Sequence, residues 1–243
     1  MLRAVELHRF LTSRQVERLH FHDHTSALSS ARTARRVLRR LANLGMLRHL
    51  DRRVGGVRAG SSGFVWQLSP AGQRLLHDAA NETSFRAYEP SPRLLDHYLA
   101  IAECHLALIE ADRSGQLDLL SVQLEPASWR RYLGAGGEHR LVRPDLYAVT
   151  ADGEYEDHWF LEVDLGTEHP PTVVRKCHAY LAYRDRGQEQ ADLGLFPRVV
   201  WQVPDKRRAD RLDSAFTTAQ LDRTLFRITT PEALVPLLVG GAS

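Results

Sequence analysis

The chain has only two cysteines, and none of its apolar runs approaches the roughly 18 residues that a membrane-spanning helix requires. Cys104 and Cys177 lie within predicted helices without CxxC spacing, so we expect them to pack in the interior of a protein from a reducing compartment. The N-terminal segment also lacks the apolar core of a signal peptide. These absences exclude a disulfide framework and a membrane span, and they predict a cytoplasmic protein.

Lysine is nearly absent too. Of the 32 basic residues, 30 are arginines, and only Lys176 and Lys206 are lysines. The hydrophobic fraction of 43% and the charged fraction of 26% are typical of soluble globular proteins. A chain of 243 residues suits two domains of about 100 to 150 residues each.

The charges are distributed unevenly between the two parts of the chain. Residues 1–80 contain 14 basic and 5 acidic side chains, a net charge of +9, whereas residues 81–243 contain 18 and 25, a net charge of −7. Residues 81–92 are polar, include two prolines and predict a linker. We therefore expect a basic domain over residues 1–80 that binds a polyanion, and an acidic domain over residues 93–243.

The basic domain has the pattern of a winged helix-turn-helix. Apolar periodicity predicts two helices before residue 20 and a third over ARTARRVLRRLANLG, which ends at Gly45. Two alternating segments flank the loop GGVRAGSSG and predict strands with a wing between them, and Pro70 opens a fourth helix. The apolar side of the third helix is predicted to contain Val37, Leu38, Leu41 and Leu44.

The other side of the third helix is rich in arginine. A single helix fits the major groove of duplex DNA and can present guanidinium groups to phosphates and guanine edges. The alternatives are a solvated helix face and a protein-binding winged helix, but the order of elements and the positive charge favour DNA. The predicted DNA contacts are Arg32, Arg35, Arg36, Arg39 and Arg40 on the helix and Arg58 in the wing.

The acidic domain mixes predicted helices and strands, which indicates an α/β fold. Its first predicted helix contains Glu103. The helices are predicted at about 93–113 and 171–186, and the strands at 118–124, 142–150, 158–165 and 198–203.

Three carboxylates lie in or beside these strands. Glu162 and Asp164 are two residues apart, so a strand would place both on one face, and Asp145 joins them if its strand pairs with theirs. Converging carboxylates repel one another, and Mg²⁺ or Mn²⁺ commonly relieves that repulsion. Such an ion can hold a phosphodiester and lower the pKa of an attacking water. The pattern predicts Asp145, Glu162 and Asp164 as metal ligands in a catalytic site.

Lys176 departs from the arginine bias of the chain, which indicates a position that requires a compact ammonium near the attacking water or the scissile phosphate. Chance is the alternative for a single lysine. Tyr180 lies one helical turn further on and shares the face of Lys176. We expect Tyr180 either to contact DNA or to pack the helix.

The spacing of Asp145, Glu162, Asp164 and Lys176 resembles the core of PD-(D/E)XK nucleases, in which carboxylates on neighbouring strands bind a metal ion beside a lysine. Asp145 and Glu162 match that motif. Asp164 stands where the family usually has lysine, so the resemblance implies that Lys176 replaces that lysine from the following helix. It also implies that Glu103 is the acidic residue of the first core helix.

Over nearly its whole length the chain resembles the replication-relaxation family of actinobacterial plasmids and phages. The resemblance rests on the winged helix, DHYLAIAE, the RPD strand, EVDLGTE and the K-x3-Y helix. It implies a role in the replication or processing of plasmid or mobile-element DNA.

Two functions remain open. One is a metal-dependent DNA endonuclease or nickase. The other is a non-catalytic DNA-binding replication accessory or transcriptional regulator with a degenerate nuclease-like domain. Duplex DNA is the expected partner in both cases, and a homodimer remains an open alternative to a monomer.

Overall fold

The computed structural model describes residues 1–23, 26–50, 64–77, 89–152 and 155–240. The chain divides into two units, Met1–Leu106 and Ala107–Ser243. This division falls after the predicted linker at 81–92 and within the helix predicted from about residue 93. Residues 81–88 of that linker lie outside the described residues.

The first unit combines helices with a small antiparallel sheet of order β1-β3-β2. Thr12 begins the second helix with a capping box, in which its hydroxyl and the side chain of Gln15 each bond the other's backbone N–H. The elements, in chain order, are α1 (Leu2–His8), β1 (Leu11–Thr12), α2 (Ser13–His20), α3 (Ala27–Asn43), β2 (Leu47–His49), β3 (Val65–Leu68), α4 (Pro70–Leu76) and α5 (Pro92–Arg113).

Helix α3 packs against α2 and β2, and Leu38 is fully buried there. Gly45 follows the helix with a φ of 70°, so the predicted stop is confirmed. Leu44 is an exception to the predicted apolar stripe, because the helix ends at Asn43 and the Leu44 side chain is 59% exposed. The sequence does not predict β1, since two residues are too short to show alternation.

The second unit is α/β, as predicted, with a mixed five-stranded sheet of order β10-β9-β8-β7-β4. β4 and β7 pair antiparallel, as do β7 and β8, whereas β8, β9 and β10 are parallel. Its elements after α5 are β4 (Asp118–Leu124), β5 (Arg130–Leu133), β6 (His139–Val142), β7 (Leu146–Asp152), β8 (Tyr155–Val163), α6 (Pro170–Arg184), α7 (Gln188–Leu193), β9 (Arg198–Gln202), α8 (Lys206–Thr218), β10 (Phe226–Thr229) and α9 (Pro231–Val239).

One face of this sheet packs against α6 and α8, and the core there includes Phe160, Val173, Trp201, Leu212 and Phe216. Burial of these side chains fixes the two helices over the ends of β8 and β9. Among the described residues, no helix has the length and apolar character needed to cross a membrane.

Helix α6 begins in an unusual way. Pro170 and Pro171 occupy its first positions and have no backbone N–H, while their fixed φ favours the helical turn. The backbone N–H groups of Thr172 and Val173 both donate to the carbonyl of His169. The helix therefore starts at Pro170, with six residues between it and the end of β8, and Lys176 and Tyr180 lie close to Glu162 near the end of that strand.

Candidate functional site

Asp145 and Glu162 lie at the same end of two paired strands. Leu146, the first residue of β7, pairs with Leu161 of β8, so Asp145 precedes β7 directly opposite Glu162. The backbone N–H of Val163 donates to Asp145 Oδ2 at 2.7 Å. Both carboxyl groups are buried, with 8% of Asp145 and 4% of Glu162 exposed.

Glu162 has two partners on α6. The hydroxyl of Tyr180 donates to Glu162 Oε1 at 2.6 Å, and Lys176 Nζ lies 3.8 Å from Oε2. Burial, followed by the negative charge of Asp145, raises the pKa of Glu162 to about 8, and Lys176 and Tyr180 offset only part of this effect. This shift favours the protonated form of Glu162, and an added cation would compete with that proton.

Lys176 stands at the exposed side of this pair. Its ammonium lies 3.1 Å from Glu168 Oε2 and 5.6 Å from the centre of the Trp201 ring. Burial alone would lower the pKa of Lys176, but the charges of Glu162 and Glu168 outweigh burial and raise it. The side chain is 43% exposed, so a charged ammonium faces solvent beside the two carboxyl groups. The sequence does not predict Glu168 as a site residue, because it lies in a loop where no period relates it to α6.

Tyr180 is 1% exposed and is enclosed by the hydrophobic core, so it packs the helix and does not present its ring to DNA. Burial, together with the Glu162 charge, raises the pKa of Tyr180 well above its usual value. The hydroxyl therefore remains a donor to Glu162 at any physiological pH and fixes the orientation of that carboxyl group.

Both carboxylate oxygens of Asp164, which the sequence predicts as a metal ligand, accept hydrogen bonds from the protein. Its Oδ1 accepts from the backbone N–H of Gly166 at 2.9 Å, and its Oδ2 accepts from Arg208 Nε at 2.6 Å. Arg208 also donates to the carbonyl of Glu168 at 2.7 Å and is 2% exposed. Because β8 ends at Val163, Asp164 belongs to the following loop, where Oδ1 bonds the loop itself and Oδ2 connects it to Arg208 of α8.

Glu103 lies in the first unit, and its partners come from α2. Its carboxylate accepts from Gln15 Nε2 at 3.1 Å and forms an ion pair with Arg18. Gln15 Nε2 also donates to the carbonyl of Leu99. These contacts connect α5 to α2. Glu103, which the sequence predicts as an additional catalytic acid, therefore stabilises the packing of these two helices.

The donors in this region can be compared with the needs of Mg²⁺ or Mn²⁺. Within the described ranges, no group of three or more His, Cys, Asp or Glu side chains has an arrangement that would hold a metal ion. Mg²⁺ is, however, often held by one or two carboxylates, with water and substrate phosphates completing its coordination. The buried pair of Asp145 and Glu162 fits such a site, because burial and the charge of Asp145 raise the pKa of Glu162, and a bound cation would stabilise its charged form. The three-carboxylate set that includes Asp164 does not fit.

The arginines of α3 that the sequence predicts as DNA contacts form a single exposed surface, called here the arginine face. The helix contains no acidic residue, and none of these arginines forms an ion pair with any residue that the structure describes. Arg35 Nε donates to the carbonyl of Ala31, and the exposed Leu28 lies at the start of the same helix. Arg58 lies outside the described residues. The arginine face consists of Arg32, Arg35, Arg36, Arg39 and Arg40.

A protein-family model described as replication-relaxation matches residues 2–199 of the chain. The matched region contains the arginine face together with Asp145, Glu162 and Lys176, and it ends within β9. No curated protein and no solved structure matches the chain significantly.

Proposed function

The chain belongs to the replication-relaxation family, and on this premise we propose that it takes part in replication or processing of plasmid or mobile-element DNA. In this proposal the first unit binds duplex DNA and the second is a metal-dependent endonuclease that nicks it. The observation that carries the proposal is the buried pair of Asp145 and Glu162 beside the exposed ammonium of Lys176.

The first unit supports a winged helix in its order of elements. Helices α2 and α3 are followed by β2 and β3, and the short β1 pairs with β3 in the order β1-β3-β2. The second of two adjacent helices is the one that enters the major groove in helix-turn-helix proteins. Here that helix is α3, which bears the arginine face.

The second unit supports a nuclease of the PD-(D/E)XK type. Asp145 immediately precedes β7, Glu162 lies in the antiparallel neighbour β8, and the helix that follows β8 contains Lys176. This arrangement agrees with the motif except that the lysine, Lys176, lies on the following helix and not on the strand.

The chemistry can be assigned to individual side chains. A bound divalent ion would neutralise phosphate charge and lower the pKa of the attacking water. Asp145 and Glu162 would hold that ion, and Tyr180 keeps the carboxyl group of Glu162 in place. The ammonium of Lys176 would contact the phosphate or the water. The attacking water would add to phosphorus and release its proton to solvent, one phosphoester bond would break, and the departing sugar oxygen would take a proton from solvent.

The direct test is incubation of the full chain with supercoiled plasmid and Mn²⁺ or Mg²⁺. We expect conversion to the nicked, relaxed form, and no conversion when a chelator removes the metal ion. If the protein binds the plasmid but leaves it supercoiled with either ion, the nuclease proposal is wrong.

The second candidate function is a non-catalytic replication accessory or transcriptional regulator. Two observations favour it: Arg208 and Gly166 occupy both oxygens of Asp164, and β8 has no lysine after Glu162. Calorimetry distinguishes the candidates, because this function requires no divalent ion at millimolar concentration.

The arginine face gives a prediction about salt. Each phosphate contact adds about 0.9 to the slope of log affinity against log salt concentration. We expect Arg36→Gln/Arg39→Gln to lower that slope by about 2. The matched control is Arg3→Gln/Arg74→Gln, which removes two exposed arginines from α1 and α4 of the same unit. Fluorescence anisotropy with a labelled duplex measures both. Equal slopes for the two variants would contradict DNA binding by α3.

The raised pKa of Glu162 gives a prediction about protons. Below pH 8 the proton on Glu162 competes with a metal ion, so we expect Mn²⁺ affinity to rise between pH 6 and pH 8 and then level off. Binding at pH 7 should release about one proton. Calorimetry in buffers of different ionisation enthalpy measures this release. Glu162→Gln should abolish it, and proton-independent binding by the unsubstituted protein would show that Glu162 is already ionised at pH 7.

A further inference from the structure

A basic β-ribbon lies directly before Asp145 in the second unit. Strands β5 and β6 pair antiparallel, with Arg131 opposite Leu141 and Leu133 opposite His139. Tyr132 on the other face is buried. Alternation along the strands gives the ribbon one outward face, called here the ribbon face, which consists of Trp129, Arg131, Leu133, His139, Leu141 and Arg143.

We propose that the ribbon face is a second DNA-binding surface, which contacts the duplex backbone beside the phosphodiester to be cut. The position of the cut rests on the proposed nuclease function, whereas the DNA contact is independent of it. The occupant is duplex DNA, since arginine side chains on such a ribbon can contact the regularly spaced phosphates of its backbone.

The charges of the ribbon favour a polyanion. Arg131 and Arg143 are exposed, and neither forms an ion pair within the described part of the chain. The acidic residue of the hairpin, Glu138, pairs with Arg140 and accepts from the backbone N–H of Gly136. The ribbon face therefore presents two uncompensated guanidinium groups and no carboxylate.

Arg130, on the opposite side of β5, differs from Arg131 and Arg143 because its guanidinium is bonded to other residues of the protein. Its Nε donates to Glu189 Oε1 at 2.8 Å, and its Nη1 donates to the backbone carbonyl of Ser128 at 2.9 Å. Its guanidinium also lies 4.6 Å from the centre of the Tyr147 ring. Arg131 and Arg143 have no such set of protein acceptors among the described residues, so their donors remain available to a ligand.

Arg143 is held near the candidate centre by local contacts. Its guanidinium lies 5.1 Å from the centre of the Trp129 ring, and Ser128 Oγ donates to the carbonyl of Pro144 at 2.6 Å. Ser128 is fully buried, so the turn before β5 is fastened to the segment after β6. Arg143 precedes Asp145 by two residues, so their Cα atoms are at most about 7 Å apart. A phosphate bound by Arg143 would therefore adjoin the phosphodiester near Asp145 and Glu162.

The test compares two double variants of the full chain in a Glu162→Gln background, in which no cutting is expected to disturb equilibrium binding. Arg131→Gln/Arg143→Gln removes the exposed charges of the ribbon face. Arg207→Gln/Arg211→Gln removes two exposed arginines from α8 of the same unit. Circular dichroism and thermal melting verify that both variants fold.

We expect the ribbon variant to lower duplex affinity at least tenfold and to reduce the salt slope by about 2, while the α8 variant retains the affinity and slope of the background protein. Arg143→Lys should restore part of the loss. Equal losses in both double variants would indicate only general attraction, and no loss in the ribbon variant would remove the ribbon from the interface. Either result overturns the proposal. Because affinity is measured without cutting, a wild-type protein that never nicks plasmid would not affect this outcome.

Discussion

Asp145→Asn and Glu162→Gln are each expected to slow Mn²⁺-dependent plasmid nicking at least about 100-fold. Loss of a group that only orients a metal ligand typically lowers metal affinity or activity about 10- to 100-fold. These changes remove the carboxylates that would bind the metal ion themselves. Both substitutions conserve shape. The amide oxygen introduced at position 145 can still accept from Val163, and the one introduced at position 162 can still accept from Tyr180, as the carboxylates do.

The measurement is the initial rate of nicked plasmid formation, with DNA affinity measured alongside by anisotropy. Affinity should change less than about threefold, because neither substitution removes an arginine of the arginine face or of the ribbon face. The matched control is Glu232→Gln, which removes an exposed carboxylate at the start of α9 and should leave the rate unchanged. If both site variants nick at the wild-type rate, Asp145 and Glu162 have no part in the chemistry.

Arg208→Met is expected to destabilise the second unit by about 3 to 5 kcal/mol, because it leaves Asp164 buried without its cation. The lost bond to the carbonyl of Glu168 adds to the effect. The midpoint of thermal unfolding should fall by roughly 10 °C or more, as followed by calorimetry or circular dichroism. Asp164→Asn in the same chain should recover much of the loss, since the asparagine side chain has no charge and can still accept from Gly166.

The matched control for this change lies in the same helix. Lys206 pairs with Asp210 on the surface of α8, and its side chain is 87% exposed. Lys206→Met should leave the unfolding midpoint unchanged, because exposed ion pairs contribute little to stability. If Arg208→Met unfolds at the same temperature as Lys206→Met, the buried pair does not hold the loop.

Long elements with regular periodicity can be predicted from the sequence. The helix expected at about 93–113 is Pro92–Arg113, and the strand expected at 118–124 is Asp118–Leu124. The hairpin of β5 and β6 cannot be predicted in this way, because its four-residue strands, RRYL and HRLV, show no clear apolar alternation. The sequence instead predicts one strand over 142–150, which joins the end of β6 to a strand that begins only at Leu146.

The candidate site divides in the same way. Asp145 approaches Glu162 because the two strands that pair beside them are neighbours in sequence. Lys176 lies near Glu162 because it is on the helix that follows β8. The role of Asp164 depends on Arg208, which is 44 residues further along the chain. Nothing local distinguishes Arg208 from the other arginines before the fold is known.

The two prolines at the start of α6 have a consequence for how an anion can be held. The positive end of a helix usually binds phosphate through free backbone N–H groups. Pro170 and Pro171 have none, and those of Thr172 and Val173 already donate to His169. The first turn of α6 therefore offers no backbone N–H of its own to an oxyanion, and a phosphate at the proposed site would be held by side-chain cations such as Lys176.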